Sequence, residues 1–179
     1  MRLIATLLLA IFVFIAHPVH AQTSLARLPA LEKKFPIAHA DAMSMNPQDQ
    51  KSIECLALNI YFEARGTTLQ DQVAVAYVTV NRVHSRQFET DICSTVFQYT
   101  WIKKQRIPQF TWTINRPVPR MIEHDSWQRA QQIAYNVYTQ SVDDPTNGAL
   151  FFHDRDDYDS VRWRHHTGKV FIGSHVFLK

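Results

Sequence analysis

The chain has 179 residues, a formal charge of +3 and a sequence pI near 9.0, with 46% hydrophobic and 20% charged side chains. That balance excludes an intrinsically disordered chain, which lacks the apolar residues needed for a core. No block of Lys and Arg interleaved with aromatics occurs, which argues against nucleic acid as a partner. The mild basic excess suits an anionic polymer, and it serves solubility equally well.

Arg2 precedes an uncharged apolar run from Leu3 to Ala16, and Val19-His20-Ala21 supplies a small-residue cleavage site. This layout predicts a secretory signal peptide over residues 1–21, since the apolar core is short for a membrane span. A retained anchor helix is the alternative. On the first reading no stable membrane anchor remains after cleavage, and on either the rest of the chain is exported, facing the periplasm or the extracellular space. Residues 22–46 show no sustained period and read as a tether or N-terminal arm. The folded domain is expected over 47–179.

Asn46-Pro47 combines a good N-cap with a residue favoured at the first helical position. Ile53, Leu56, Ala57, Ile60 and Ala64 then recur at helical spacing, with Gly66 expected as a left-handed cap. Cys55, Leu58 and Phe62 form a second apolar face, so this helix should be packed on two sides. Between the faces runs a polar strip of Ser52, Asn59 and Glu63. A carboxylate in that strip lies beside the core. Glu63 is therefore a candidate general acid, because partial desolvation raises a carboxyl pKa towards neutrality. The ordinary alternative is a surface ion pair with Arg65.

Thr68 and Asp71 resemble a capping box that opens a helix from Leu69 to Val83, although Val73 to Val80 also alternates like a strand. Asp91 or Thr90 caps a shorter helix containing Val96 and Phe97. Residues 99–120 look irregular. Asp125 and Gln128 start a further helix with Trp127, Ala130, Ala134, Val137 and Tyr138 inward, which stops before the turn at 143–148. Four short β-rich runs follow, at 149–152, 161–163, 170–172 and 175–177, the last two joined by Gly173-Ser174. Helices first and a small antiparallel sheet last make an α+β domain. Cys55 and Cys93 are either a disulfide, favoured by an oxidising compartment, or two buried thiols.

The run Cys55-Leu56-Ala57-Leu58-Asn59-Ile60-Tyr61-Phe62-Glu63-Ala64-Arg65-Gly66 resembles the signature of the SleB/CwlJ cell-wall hydrolase family, named for spore-cortex-lytic enzymes. The likeness continues, in order, through blocks at 72–76, 81–83, 96–98, 109–112, 148–152 and 172–177. It implies a compact, lysozyme-related catalytic domain acting on peptidoglycan glycan strands, and no cofactor or metal is expected. The family's catalytic glutamate falls on Glu63, and lytic transglycosylase chemistry fits best, with an amidase or a non-catalytic wall-binding protein as alternatives. The resemblance further places Gln98, Gln109, Phe110, Thr111 and Trp112 along the cleft. The competing possibility is that Phe110 and Trp112 are core residues. Asn59 and Asn81 are expected to be structural, and Arg65 to anchor the loop after its helix. Pro108 and Ile114 stand where relatives often carry cysteines, and Thr67 where they often carry Glu.

No second carboxylate is marked by a motif, although Glu54, Glu89, Asp91 and Asp125 are available to an ordinary glycosidase, which needs two. His153, His165, His166 and His175 invite a zinc-amidase reading, but no spacing defines three ligands. The acidic run 154–159 lacks the Gly and terminal Glu of a calcium loop and reads as a solvated turn.

Overall fold

The computed structural model describes residues 41–114, 123–156 and 168–179. The segment expected as a signal peptide, most of the expected arm and the β-run expected at 161–163 lie outside these residues. Helix α1 (Pro47–Ala64) starts as its sequence demands, with the Asn46 side chain accepting from the Asp49 N–H at 3.0 Å and Pro47 in the first turn. Its end differs from expectation. Arg65 keeps right-handed angles and Gly66 has no positive φ. Instead the Thr67 hydroxyl and N–H both bond the Ala64 carbonyl, at 2.9 and 3.0 Å, so a side chain closes the helix where a left-handed glycine was expected.

Helix α2 (Leu69–Ser85) is capped by Thr68. Its Val/Ala run settles as a helix because both of its faces are covered. Val73, Ala76, Tyr77 and Val80 join a core with Leu56, Ile60 and Tyr61 of α1, whereas Ala74, Val75 and Val78 face Ala149, Ile172 and Phe177. Helix α3 (Ile92–Val96), capped by Asp91, packs on α1 and α2, and the Cys55–Cys93 disulfide fastens it to α1 with the Cα atoms 5.3 Å apart.

The stretch expected to be irregular contains an antiparallel hairpin, β1 (Tyr99–Ile102) and β2 (Gln105–Pro108). Its turn residues, Lys103 and Lys104, both adopt positive φ (47° and 66°). The usual Asn-Gly signal for such a turn is missing, which hid the hairpin from sequence. A short 3₁₀ turn at Thr111–Thr113 follows.

Helix α4 (His124–Tyr138) begins one residue earlier than predicted, after Glu123, and lays Ala130, Ile133, Ala134 and Val137 against the α1–α2 core. Strand β3 (Phe151–Asp154) starts later than the expected 149–152. The Thr146 hydroxyl takes the Ala149 N–H at 3.1 Å, which keeps that residue in the turn. With β4 (Val170–Ile172) and β5 (His175–Leu178), β3 makes an antiparallel sheet of order β3-β5-β4. Ala42 and Met45, just before α1, pack against the helical core. Among the described residues no helix is long and apolar enough to cross a membrane.

Candidate active site

Glu63 stands one residue before Ala64, where α1 leaves the helical core and meets the smaller core under the sheet. At that seam is a cavity of about 400 Å³ lined by Glu63, Thr67, Arg82, Gln109, Phe110 and Thr111 on one side and by Phe152, His153, Asp154, Ser174 and His175 of the sheet region on the other. Loss of hydration is the largest influence on Glu63. It pushes the carboxyl from 4.5 to about 7, against the opposing attraction of His175 and Arg82. No hydrogen bond is among the causes of that shift.

Arg82 reaches the same cavity from α2. At spacings i, i+3 and i+7 it continues the sheet-facing row of Val75 and Val78, an arginine in an apolar stripe. Nε donates to the Leu150 carbonyl at 2.8 Å, and the guanidinium carbon lies 4.9 Å from the Phe88 ring centroid and 5.0 Å from that of Phe110. Burial lowers its pKa to about 10, which leaves it cationic at neutral pH, while the nearby Glu63 works in the other direction. Its buried Nη1 has no hydrogen-bond partner among the described residues, an available donor at the cavity wall.

His175 is held by a residue that sequence had marked only as a capping partner. Asp71, 1% exposed, accepts from His175 Nδ1 at 3.0 Å and from the Ser174 N–H at 3.1 Å. A carboxylate can only accept, so Nδ1 carries the hydrogen, and Nε2 faces the cavity with Asp154 Oδ1 at 3.9 Å. The Gly173-Ser174 turn fits tightly over this carboxylate. Gly173 has φ +52°, and a Cβ there would lie 1.9 Å from Asp71 Oδ2, so only glycine allows the turn to close. Phe152 and Phe177 pack edge-on against the imidazole.

Of the cleft residues expected from sequence, Glu63, Gln109, Phe110 and Thr111 come together in this cavity. Phe110 is buried and doubles as core. Trp112 and Gln98 are not in the cavity wall. Trp112 stacks on Phe62 at 4.8 Å and donates through Nε1 to Asn59 Oδ1 at 3.0 Å, which is the core role foreseen as the alternative. Gln98 accepts the Gln109 N–H on its backbone carbonyl, holding the chain that enters the wall. Asn59 and Asn81 are structural, bonded to Thr79 and to Asp144, respectively. Arg65 pairs with Glu123 at 2.8 Å, which ties the end of α1 to the start of α4. Arg82, Asp154, and Asp71 acting through His175, were not singled out in advance. The arginine inside an apolar helical row was the one legible signal. His153 and His175 share the cavity, whereas His165 and His166 lie outside the described residues.

A second cavity, about 540 Å³, lies beside the start of α1 and includes Glu54, Ile53 and Trp127. Glu54 is exposed there, on the outer side of the helix.

The model of the cell wall hydrolase family matches residues 66–178, and the chain belongs to that family. Glu63 lies just before the matched span. Over 135 residues the chain is 27% identical to the spore cortex-lytic enzyme of Bacillus cereus, a region covering 75% of this chain and 46% of that protein. It thus spans less than half the length of the curated relatives it matches. The solved catalytic domain of the Bacillus cereus SleB protein superposes with a TM-score of 0.57 at 26% identity, covering 75% of this chain and 94% of that one. The catalytic domain of the germination-specific lytic transglycosylase SleB from Bacillus anthracis gives 0.55, also at 26% identity, with 75% and 99% covered. The helices-first α+β arrangement is therefore the lysozyme-like fold of these catalytic domains.

Proposed function

We propose that this protein degrades peptidoglycan by cleaving the glycan backbone between N-acetylmuramic acid and N-acetylglucosamine, as a lytic transglycosylase with Glu63 as its acid and then its base. The observation that carries this reading is a carboxyl raised to about 7 by desolvation, in a cavity whose walls offer hydrogen-bond donors and flat rings. Family membership and the name of the Bacillus anthracis relative support the substrate and the reaction.

Protonated Glu63 donates to the glycosidic oxygen as the bond to the anomeric carbon breaks. The carboxylate left behind accepts the proton of the muramic acid 6-hydroxyl while that oxygen closes on the anomeric carbon. The product is a 1,6-anhydro sugar, no water is consumed, and Glu63 ends protonated as it began. His175 and Arg82 favour the carboxylate in mid-reaction, since both attract its charge. Arg82 Nη1, which has no partner among the described residues, and the side chains of Gln109 and Thr111 suit sugar hydroxyls and acetamido carbonyls. The substrate places the reaction outside the cytoplasm, in line with export through residues 1–21. Residues 47–179 form the catalytic domain and 22–46 its arm.

One observation favours a second reading. Asp154 lines the same cavity and is exposed to water, so a second carboxylate of the kind a hydrolysing glycosidase uses is present. Digestion of purified sacculi with mass analysis of the products separates the readings. Anhydromuramic ends support the transglycosylase. Reducing ends that disappear with Asp154→Asn indicate hydrolysis, free stem peptides indicate an amidase, and binding without any product indicates a wall-binding protein.

A further inference from the structure

The hairpin β1–β2 concentrates residues that a folded chain normally buries. Trp101 is 63% exposed, Ile102 52%, Tyr99 43% and Ile107 42%. An isolated two-stranded ribbon is marginal in water, so such exposure is a cost unless something covers it.

The register organises these side chains. Tyr99 is opposite Pro108 and Trp101 opposite Arg106, so these four share one face, while Ile102 and Ile107 occupy the other. On the first face the Arg106 guanidinium lies 4.0 Å from the Tyr99 ring centroid, and Tyr99 meets Trp101 edge-on at 5.9 Å. The result is a preassembled platform of two rings and a cation. At the tip, Lys103 and Lys104 hold left-handed angles that Asn or Gly adopts with less strain, so the turn carries two ammonium groups at a conformational cost. From Tyr99 to Pro108 there are three cations and no carboxylate.

The hairpin is also continuous with the cavity. Strand β2 ends at Pro108, the next three residues line the cavity wall, and the Gln109 N–H is tied to the Gln98 carbonyl at 2.9 Å. We infer that the hairpin is a second contact surface for polymeric peptidoglycan: its rings stack on sugars of the strand outside the cavity, and its cations meet the carboxylates of the peptide stems. This inference rests on the proposed substrate. Stacking on Trp and Tyr faces tolerates any pyranose, and the cations add selectivity for a charged wall polymer over a neutral glycan.

Co-sedimentation of the full chain carrying Glu63→Gln with insoluble sacculi tests it, the substitution keeping the sacculi intact. Adding Trp101→Ala, or Lys103→Glu with Lys104→Glu, should weaken binding about tenfold, a loss of about 1.4 kcal/mol. In the otherwise unaltered enzyme the same changes should raise KM on sacculi by a similar factor. They should leave kcat and the rate on short soluble muropeptides within about twofold. The thermal midpoint should not move, because these side chains are outside both cores. Unchanged sacculus binding by both variants overturns the inference, as does a fall in kcat at constant KM. Trp101-dependent sedimentation with anionic phospholipid vesicles, with sacculus binding independent of Trp101, overturns it in favour of a membrane-surface role. A chain that grips sacculi through the hairpin but never cuts them sustains the inference while the proposed reaction fails.

Discussion

Glu63 and Glu123 are both tied to the end of α1, Glu123 through Arg65, and differ in their surroundings. Both sit at helix ends, Glu63 in the last turn of α1 and Glu123 just before α4. Glu123 is out in solvent, accepts from Arg65 Nε and the Ser126 hydroxyl, and is held below the usual carboxylate range by those bonds. Glu63, two residues before Arg65, faces the seam between the two cores and is pushed up to about 7. A surface ion pair is the ordinary fate of a helix-end glutamate. Here the Arg65 side chain turns to the outer one and lies over the Tyr61 ring, leaving Glu63 to the cavity. Water access and the direction of one arginine set the chemistry, more than residue type does.

Replacing each glutamate by glutamine gives the largest contrast. Glu63→Gln should lower the rate of sacculus digestion by roughly a thousandfold, the range of a lost general acid, and Glu123→Gln by no more than about twofold. A comparable loss at both positions would break the distinction.

The turn over Asp71 comes next. Gly173→Ala forces a Cβ into that carboxylate from a left-handed position, and should cost about 2–3 kcal/mol in chemical denaturation. It should also slow the reaction, because Asp71 positions His175. Asp71→Asn retains the shape but replaces one acceptor oxygen by a donor, so activity should fall with less loss of stability.

The two carboxyls should also part in pH dependence. Between about 4.5 and 7 the unfolded chain has released the Glu63 proton and the native one has not, so stability falls as pH rises through this window and levels off above it. Glu63→Gln should therefore stabilise the fold at pH 8 by up to about 3 kcal/mol, and hardly at pH 4. For Glu123 the sign reverses. Its lowered pKa adds stability above the unfolded value, lost as pH falls through the folded one. Activity, which needs the protonated acid, should decline above pH 7. His175→Asn removes an attraction for the carboxylate and should move that decline to higher pH, readable in a pH–rate profile.

The smallest effect is expected on the outer pair. Arg65→Ala and Glu123→Ala should each shift the thermal midpoint by only about a degree, and less in high salt. A larger shift would mean that the link from α1 to α4 orders the cavity.

Much of the helical half was legible because periodicity and caps are local. Asn46-Pro47 and Thr68 start their helices as read, Asp91 and not Thr90 caps the third, and Ser52, Asn59 and Glu63 lie on α1 among buried apolar neighbours. The Cys55–Cys93 alternative is resolved as a disulfide, which no spacing rule decides because the bond depends on where α3 docks. The β1–β2 hairpin escaped notice because its turn is built from two lysines.

The polar strip by itself determined that Glu63 lies beside the core, and the ordered motifs determined the family. Only the tertiary structure decided what surrounds that carboxyl. Arg82, Asp154 and His175 are 19, 91 and 112 residues further along the chain, and Asp71 reaches its histidine across a separation of 104. Sequence patterns report which face of an element is apolar. The pKa of a carboxyl depends on which groups from other elements exclude its water, and that is settled only when helices and sheet close around it.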